Sequence, residues 1–420
     1  MVSNSPTVIV GNGAAAIEAI KALRENGYRN EIHVISDSTY PAYNPMLTTY
    51  LVAGRIPLDN CFPFGRFDFY RKYDVRIHLG QLVTALNAER QIVETKNGKT
   101  LSYSQCLIAS GASPIIPPAR GISSRNVHVL RTVEDAIQLR EALARRPGKA
   151  LVVGASMVGI KVVDLLHRAG VEVCLADMAE HVFPQMAHPD CAGIVEGLLL
   201  DRGVRLRMGA GIEAIEETDA GLRAYFRDRG EPEPADLAVI CVGVRPNVEF
   251  LDRSQVEIDQ GIVVNEKMET SAPGLYAAGD VAQGTNLLTG RKQVIGLWSN
   301  ARYQGRTAGR NMAGVADHCP GSIPQNISRF LDIVFVGIGD MTLGTREERY
   351  REGERYRHLV WDGQRLVGVN LLNDFLDAGV VKHALVKGLA CGKAFEANCF
   401  PWAFLERLAR DADVGRAGRE

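Results

Sequence analysis

The residues best placed to do chemistry in this sequence are glycines rather than acids, bases or thiols. Thr7-Val8-Ile9-Val10-Gly11-Asn12-Gly13-Ala14-Ala15-Ala16 is an apolar run ending in Gly-x-Gly-x-x-Ala, and the helical pattern Ile17, Ala19, Ile20, Leu23 follows it. This reads as a strand, a tight turn and a helix N-terminus. Glycines there let the backbone turn sharply and approach a pyrophosphate, whose charge then rests on free N–H groups and the positive end of the helix. Ala16, in place of a third glycine, still allows close helix–strand packing. The same turn also occurs in α/β domains that bind nothing, so its recurrence matters. Lys149-Ala150-Leu151-Val152-Val153-Gly154-Ala155-Ser156-Met157-Val158-Gly159 repeats the device 143 residues after the first, with a helix running on to Arg168.

In a dinucleotide fold an acid at the end of the second strand binds a ribose hydroxyl. After the second turn the strand Val171 to Ala176 ends at Asp177, 18 residues beyond Gly159. A carboxylate there pairs with a free 2′-hydroxyl and repels a 2′-phosphate, which favours NAD over NADP. After the first turn the strand Ile32-His33-Val34-Ile35 ends at Ser36-Asp37, so the ribose partner is either the serine or an acid shifted by one.

The 420 residues suffice for two or three domains, and 46% hydrophobic with 23% charged residues is ordinary globular composition. A net charge of −1 points to no nucleic-acid or membrane-surface partner. No apolar run reaches the roughly 18 residues of a spanning helix, and because the polar start MVSNSP leads directly into the first strand, no targeting peptide is expected. The eight cysteines are scattered; Cys106, Cys174 and Cys241 sit in apolar strand-like runs, no CxxC occurs, and Cys391 and Cys399 are eight apart. Neither a zinc site nor an iron–sulfur ligand set is visible, and none of the nine histidines falls at a ligand-pair spacing. A reduced, cytoplasmic chain is expected.

The elements that must position the turns follow from pattern. Met46 to Leu51 opens a helix after the prolines of 41–45; residues 75–101 are short strands turning at Asn97-Gly98; Cys106 to Ala109 is a buried strand that runs into Ser110-Gly111. Leu130 to Arg146 is helical. Gly203 to Glu217 is a short α/β piece, and Pro232-Glu233-Pro234 an exposed hairpin or loop. Asp236 to Gly243 and Gly274 to Ala278 are strands, Trp298 to Met312 is a helix carrying Gly305 and Gly309, and 313–325 is a linker. Further strands are expected at Ile333 to Val336, His358 to Trp361 and Leu366 to Leu371, with helices at Ala378 to Lys387 and Trp402 to Arg410 and a disordered tail from Asp411.

Five motifs in this order carry a resemblance: Gly11-x-Gly13-x-x-Ala16, Ala109-Ser110-Gly111-Ala112, Gly154-x-Ser156-x-x-Gly159, Val242-Gly243-Val244-Arg245-Pro246-Asn247 and Tyr276-Ala277-Ala278-Gly279-Asp280. The chain resembles the FAD-dependent pyridine-nucleotide–disulfide oxidoreductases over roughly residues 5–310. Within them it is most similar to the branch of rubredoxin and ferredoxin reductases and the flavin domain of assimilatory nitrite reductases, which Gly368 to Asp374 also resembles. The resemblance implies an α/β protein with two Rossmann-like, glutathione-reductase-type domains and a small α+β C-terminal domain: FAD at 1–114 and 246–325, NAD at 115–245, and an interface domain at 326–420.

Carried over by position, the resemblance implies that Gly11, Asn12, Gly13, Ala15 and Ala16 hold the FAD pyrophosphate, with Ala109, Ser110 and Gly111 passing near it. Ser36 or Asp37 takes the adenosine ribose, the Val83 backbone touches the adenine, Arg131 reaches the FAD, and Asn44 stands on its flavin side. Gly279, Asp280 and Val281 approach the ribityl chain. Trp298 either lies near the isoalloxazine or is a core residue on a packing helix. Gly154, Ser156, Met157, Val158, Gly159 and Asp177 hold NAD, with Gly243 close by. No side chain is assigned a catalytic role and no metal is expected.

Departures from the family pattern limit the chemistry. Relatives that use thiols carry cysteine on the helix after the second strand, where this chain reads Pro45-Met46-Leu47-Thr48-Thr49; Cys61 lies outside the motif. Asn44 and Thr49 replace cationic residues, and Gly159-Ile160-Lys161 places a cation where relatives carry a carboxylate. The chemistry therefore belongs to FAD and NAD. The expected partner is an iron–sulfur protein, or the iron–sulfur subunits of a complex, because the overall pattern resembles the flavin (epsilon) subunits of NAD-dependent phenylglyoxylate dehydrogenases. A stand-alone reductase or NADH oxidase and a non-catalytic flavin-bound scaffold are the alternatives.

Overall fold

The computed structural model describes residues 5–376 and 378–389. Two compact units emerge. The first gathers the chain up to Ile115, Leu130–Glu141 and Val244–Ser322; the second gathers Ile116–Val129, Ala142–Gly243 and the chain from Ile323 on. The expected helix at Trp402 to Arg410, the tail from Asp411 and the pair Cys391 and Cys399 lie outside the described residues.

The first unit is built on a five-stranded parallel sheet in the order Leu275–Ala277, Gln105–Ile108, Thr7–Val10, Ile32–Ile35, Val75–His78. Thr7–Val10 and Ile32–Ile35 are buried at every position, as parallel strands covered on both faces must be. The helix Ala14–Glu25 follows the first strand and packs on the helix Trp298–Met312. That packing explains Gly305 and Gly309. A Cβ on Gly305 would lie 2.1 Å from the Ala15 carbonyl oxygen, and one on Gly309 would lie 2.5 Å from that of Ala19. An antiparallel sheet of Val83–Asn87, Ile92–Thr95 and Thr100–Ser102 completes the reading of 75–101. Pro45–Leu47 forms a 3₁₀ turn before the short helix Thr48–Val52.

The second unit repeats the plan with the parallel order Arg205–Arg207, Glu172–Ala176, Lys149–Val153, Leu237–Ile240, Val127–Val129, and the helix Met157–Arg168 follows its central strand. A second sheet, fully antiparallel, runs Gln325–Phe330, Ile333–Gly339, Arg365–Leu372, Arg355–Asp362, Arg346–Glu352 and carries the helix Ala378–Lys387. Two parallel-sheet units plus an α+β C-terminal portion are the expected fold class.

Three local expectations are corrected. Gly203 to Glu217 contains no helix; it is the strand Arg205–Arg207 and the start of Ile212–Thr218, and the helix lies before it at Pro189–Asp201. Pro232-Glu233-Pro234 is the hairpin rather than the loop, and not fully exposed: Glu233–Ala235 pairs with Gly221–Phe226, and Glu233 is buried because Arg205 binds both its oxygens. The helix expected from Leu130 spans Val133–Ala144, because Thr132 and Asp135 cap it reciprocally.

Opposite signs are expected for two kinds of glycine. Gly305→Ala should lower stability by about 1–3 kcal/mol through forced backbone separation. Gly197→Ala, in an exposed helix turn where an added Cβ meets nothing within 4 Å, should raise it by about 0.5–1 kcal/mol. Urea unfolding of both variants checks this.

Candidate functional site

In the first turn Gly11 has φ +102°, and a Cβ on it would sit 2.1 Å from the Ala109 carbonyl oxygen. The turn is anchored by Gly11 N–H donating to Ile35 O (2.7 Å) and Ala109 N–H donating to Val10 O (2.7 Å). Gly13 is different: its φ is −89° and an added Cβ meets nothing within 4 Å. The protein itself makes no demand for glycine there, and the open space beside the backbone would admit a ligand. No side chain caps the helix Ala14–Glu25, so its first N–H groups stay available to an anion. This cradle fits a pyrophosphate.

Side chains around the turn fix it. Asn12 Oδ1 accepts from the Tyr70 hydroxyl (2.7 Å). Ala15 and Ala16 are buried, with Ala15 also against Gly279. Ser110 Oγ donates to Asn247 O (2.8 Å), Asn247 Nδ2 donates to Ser110 O (2.9 Å), and Asn247 N–H donates to Gly111 O (3.0 Å). The Arg-Pro-Asn motif thus clamps the Ser110-Gly111 turn, a role that the sequence motif did not reveal.

The second turn repeats the contacts of the first. Gly154 has φ +112°, with a hypothetical Cβ 2.4 Å from Cys241 O, and its N–H donates to Ala176 O (2.7 Å). Gly243 (φ +114°) is therefore the counterpart of Gly111 (φ +69°). Ser156 replaces Gly13: its hydroxyl caps Gly159 N–H and donates to Cys241 O. Gly159 is compulsory, since a Cβ would fall 1.8 Å from Gly154 O. Met157 is half-buried and Val158 exposed on the first turn of the helix.

The registers also align the strand ends. Gly11 bonds to Ile35 as Gly154 bonds to Ala176, so Ser36 is the counterpart of Asp177 and Asp37 stands one residue on. Asp177 Oδ2 accepts from Ala155 N–H (2.5 Å) and Oδ1 from Ala179 N–H (2.8 Å), which fixes the carboxylate beside the turn. Ser36 is buried, whereas Asp37 is exposed and accepts from Ser38 N–H.

Other candidates separate into groups. Arg131 and Asp280 meet: Nη2 donates to Oδ2 at 2.6 Å, and Arg131 Nε donates to Ala112 O at 3.2 Å. Gly279 (φ +87°) is held by its N–H to Gln304 Oε1 (2.8 Å), and Val281 is fully buried. Burial beside the Glu134 carboxylate pushes the Tyr43 phenol up. Asn44 caps the 3₁₀ turn by accepting from Met46 N–H (3.0 Å). Val83 lies on the antiparallel sheet opposite Thr95. Trp298 is half-buried and stacks on Phe64, with centroids 6.1 Å apart. The Lys161 ammonium donates to the Arg329 carbonyl.

Two strand–turn–helix units, one with a bare glycine before an uncapped helix and one with a carboxylate held beside the turn, define an α/β protein of the dinucleotide-binding class. The chain belongs to the pyridine nucleotide-disulphide oxidoreductase family, which it matches over residues 5–305. It is similar to the NADH-dependent phenylglyoxylate dehydrogenase subunit epsilon of Aromatoleum evansii, at 32% identity over 92% of each chain. It is also similar to the putidaredoxin reductase of Pseudomonas putida, at 31% identity over 75% of each. Among solved structures, the covalent putidaredoxin reductase–putidaredoxin complex matches with a TM-score of 0.85 and 26% identity, covering 92% of this chain and 94% of that one. The protein is a flavin-dependent NAD(H) oxidoreductase that uses FAD and NAD.

Gly13→Ala should keep the unfolding midpoint of the apoprotein yet weaken FAD binding by at least about tenfold, roughly 1.4 kcal/mol. Gly11→Ala should lose both stability and flavin. Flavin fluorescence titration of apoprotein alongside thermal unfolding separates the two outcomes.

Proposed function

We propose that this chain carries electrons between NAD(H) and an iron–sulfur protein through FAD, as the flavin subunit of a multi-subunit 2-oxoacid dehydrogenase of the phenylglyoxylate type. The unit built on Thr7–Val10 holds FAD and the unit built on Lys149–Val153 holds NAD, with the turn residues in the roles their positions imply. The observation that carries the reading is the state of the thiols. Pro45 to Val52 contains no cysteine, and the six described cysteines, Cys61, Cys106, Cys174, Cys191, Cys241 and Cys319, are free and buried. Burial pushes their thiols up, those of Cys174, Cys191 and Cys241 to about 12. Thiols this reluctant to ionise make poor relays, so these six offer electrons no route out, and a metal-centred carrier, which accepts electrons singly, fits the remaining role. The likeness to a dehydrogenase subunit and to a reductase named for putidaredoxin supports the same reading.

When bound, FAD and NAD supply the redox chemistry, a hydride exchanged between nicotinamide and flavin. The chain's own residues bind and orient. The N–H groups at the start of Ala14–Glu25 take the pyrophosphate charge, Asp280 accepts from a ribityl hydroxyl while Arg131 neutralises it, and Asp177 accepts from the adenosine 2′-hydroxyl of NAD. Free thiols suit a reducing compartment, and we place the protein in the cytoplasm. No helix among the described residues is long and apolar enough to cross a membrane.

Under anaerobic conditions NADH should bleach the flavin band and NADPH should not. Asp177→Ser should raise the NADPH-to-NADH preference by at least about tenfold, because it removes the charge that repels a 2′-phosphate.

The partner is tested by affinity capture of the tagged chain from its native cells. Recovery of iron–sulfur subunits that NADH reduces only when this chain is present is expected. Rapid oxygen consumption by the isolated chain with no such partner would indicate a stand-alone oxidase instead. Failure of either nucleotide to reduce bound flavin would indicate a scaffold.

A further inference from the structure

Far from either glycine turn in sequence, the second unit assembles His188, Glu347 and His358. One ligand-capable atom of each lies within 4.8 Å of the others. His358 Nε2 is 3.1 Å from Glu347 Oε2, and His188 Nε2 is 3.8 Å from the same oxygen. A tetrahedral zinc ion with bonds of roughly 2.0–2.1 Å to nitrogen and oxygen sets its ligands roughly 3.3 Å apart, so only small movements would close these three on one ion. We propose that His188, Glu347 and His358 form a binding site for a divalent transition metal ion of the zinc class, with water in the fourth position.

The site is built, not incidental. Arg349, His358 and Asn370 stand side by side on three neighbouring strands, in registers Arg349↔His358 and His358↔Asn370. Glu347 is two residues from Arg349 and so points from the same face. His188 comes from the N-terminus of the helix Pro189–Asp201, and Asn370 pins it there: Asn370 Oδ1 accepts from His188 N–H (2.8 Å) and Nδ2 donates to Met186 O (2.8 Å). His358 is fully buried and His188 is only 20% exposed, whereas Glu347 opens to solvent at 39%, which gives an ion a way in. The outer partners suit metal-bound imidazoles as well. Tyr356 Oη lies 3.2 Å from His358 Nδ1, and Asp190 Oδ2 lies 3.7 Å from His188 Nδ1. Tyr356 Oη can receive the Nδ1 proton of His358 when that ring binds metal through Nε2, and Asp190 Oδ2 can do so for His188 once its Nδ1 gives up the Asp190 N–H.

Arg349 shows what the ion displaces. Its Nη2 lies 2.6 Å from Glu347 Oε2 and its Nε 3.0 Å from Asp190 Oδ2. The guanidinium thus supplies the positive charge beside Glu347 in this arrangement, and a neutral His358 with its proton on Nε2 would donate to the same oxygen. His188 fits that tautomer, because its Nδ1 accepts from Asp190 N–H (3.2 Å). Metal entry would place each ring proton on Nδ1, at His188 in exchange for the contact with Asp190 N–H, and would release the half-exposed Arg349 to solvent. No net proton is lost and no redox step is involved. The bound ion would pin the N-terminus of Pro189–Asp201 to the antiparallel sheet.

The test uses the full-length flavoprotein, stripped with chelator, titrated with zinc sulfate against a chromophoric chelator, and separately with cobalt(II). One zinc per chain with micromolar or tighter affinity is expected, together with a rise in Tm that EDTA reverses. His188→Gln and Glu347→Gln should each weaken binding by at least about tenfold, and Arg349→Gln, which removes the competing cation, should tighten it. Glu347→Gln is nearly isosteric at an exposed position, so its fold is retained; circular dichroism verifies this. The proposal is overturned if zinc does not saturate below millimolar concentration, or if the variants bind as the parent does. A sulfur-to-cobalt charge-transfer band would equally overturn it, since that places the ion on cysteine.

Discussion

Everything in the two nucleotide-binding units depends on one van der Waals contact made twice. The backbone after the first strand must pass so close to the carbonyl at the end of its neighbour that no side chain fits between them. At Gly11 the obstacle is Ala109 O, and at Gly154 it is Cys241 O. That approach brings the start of each following helix against the end of the sheet and leaves its N–H groups facing out. In the first unit the demand propagates. The helix Ala14–Glu25 is itself pressed against Trp298–Met312, so Gly305 and Gly309 are needed on the far side of Ala15 and Ala19. A tight turn thus sets the helix spacing of a whole layer.

The two copies differ in ways that suit the proposed assignment of FAD to the first and NAD to the second. The first turn keeps Gly13 bare and its helix uncapped, leaving the anion site open, whereas the second spends a hydroxyl, Ser156, on capping its own helix. The second fixes an acid, Asp177, at the end of its second strand, where the first has buried Ser36. A cofactor held permanently gains from maximal backbone contact. One that must come and go needs less, and discriminates through a single charge.

What could be read in advance was what is local. The strands at Thr7–Val10 and Ile32–Ile35, the helices Trp298–Met312 and Ala378–Lys387 and both glycine turns follow from period and turn chemistry within about 20 residues. What escaped depends on distant partners. Arg131 and Asp280 are 149 positions apart, and Ser110 and Asn247 are 137 apart. Glu233 looks like loop until Arg205 is known to cover it. Arg346–Glu352, spelled REERYRE, has no apolar alternation because it is an edge strand with one neighbour and both faces largely wet. His188 and His358 meet only because Asn370 ties a helix end to a sheet.

The antiparallel ribbon of Ala112–Pro114 with Val244–Pro246 means that the chain leaves the first unit and re-enters it at adjoining points. Such a layout marks a graftable cassette: loop-closure entropy rises only slowly with the length spanned, so the host tolerates an insert of almost any size. The graft is not clean, however. Leu130–Glu141, lying within the inserted stretch, belongs to the host unit and delivers Arg131 to Asp280. Any exchange of the cassette between relatives, in evolution or by recombination in the laboratory, must therefore leave that short stretch behind or bring a matching one, and chimaera breakpoints are constrained to flank it.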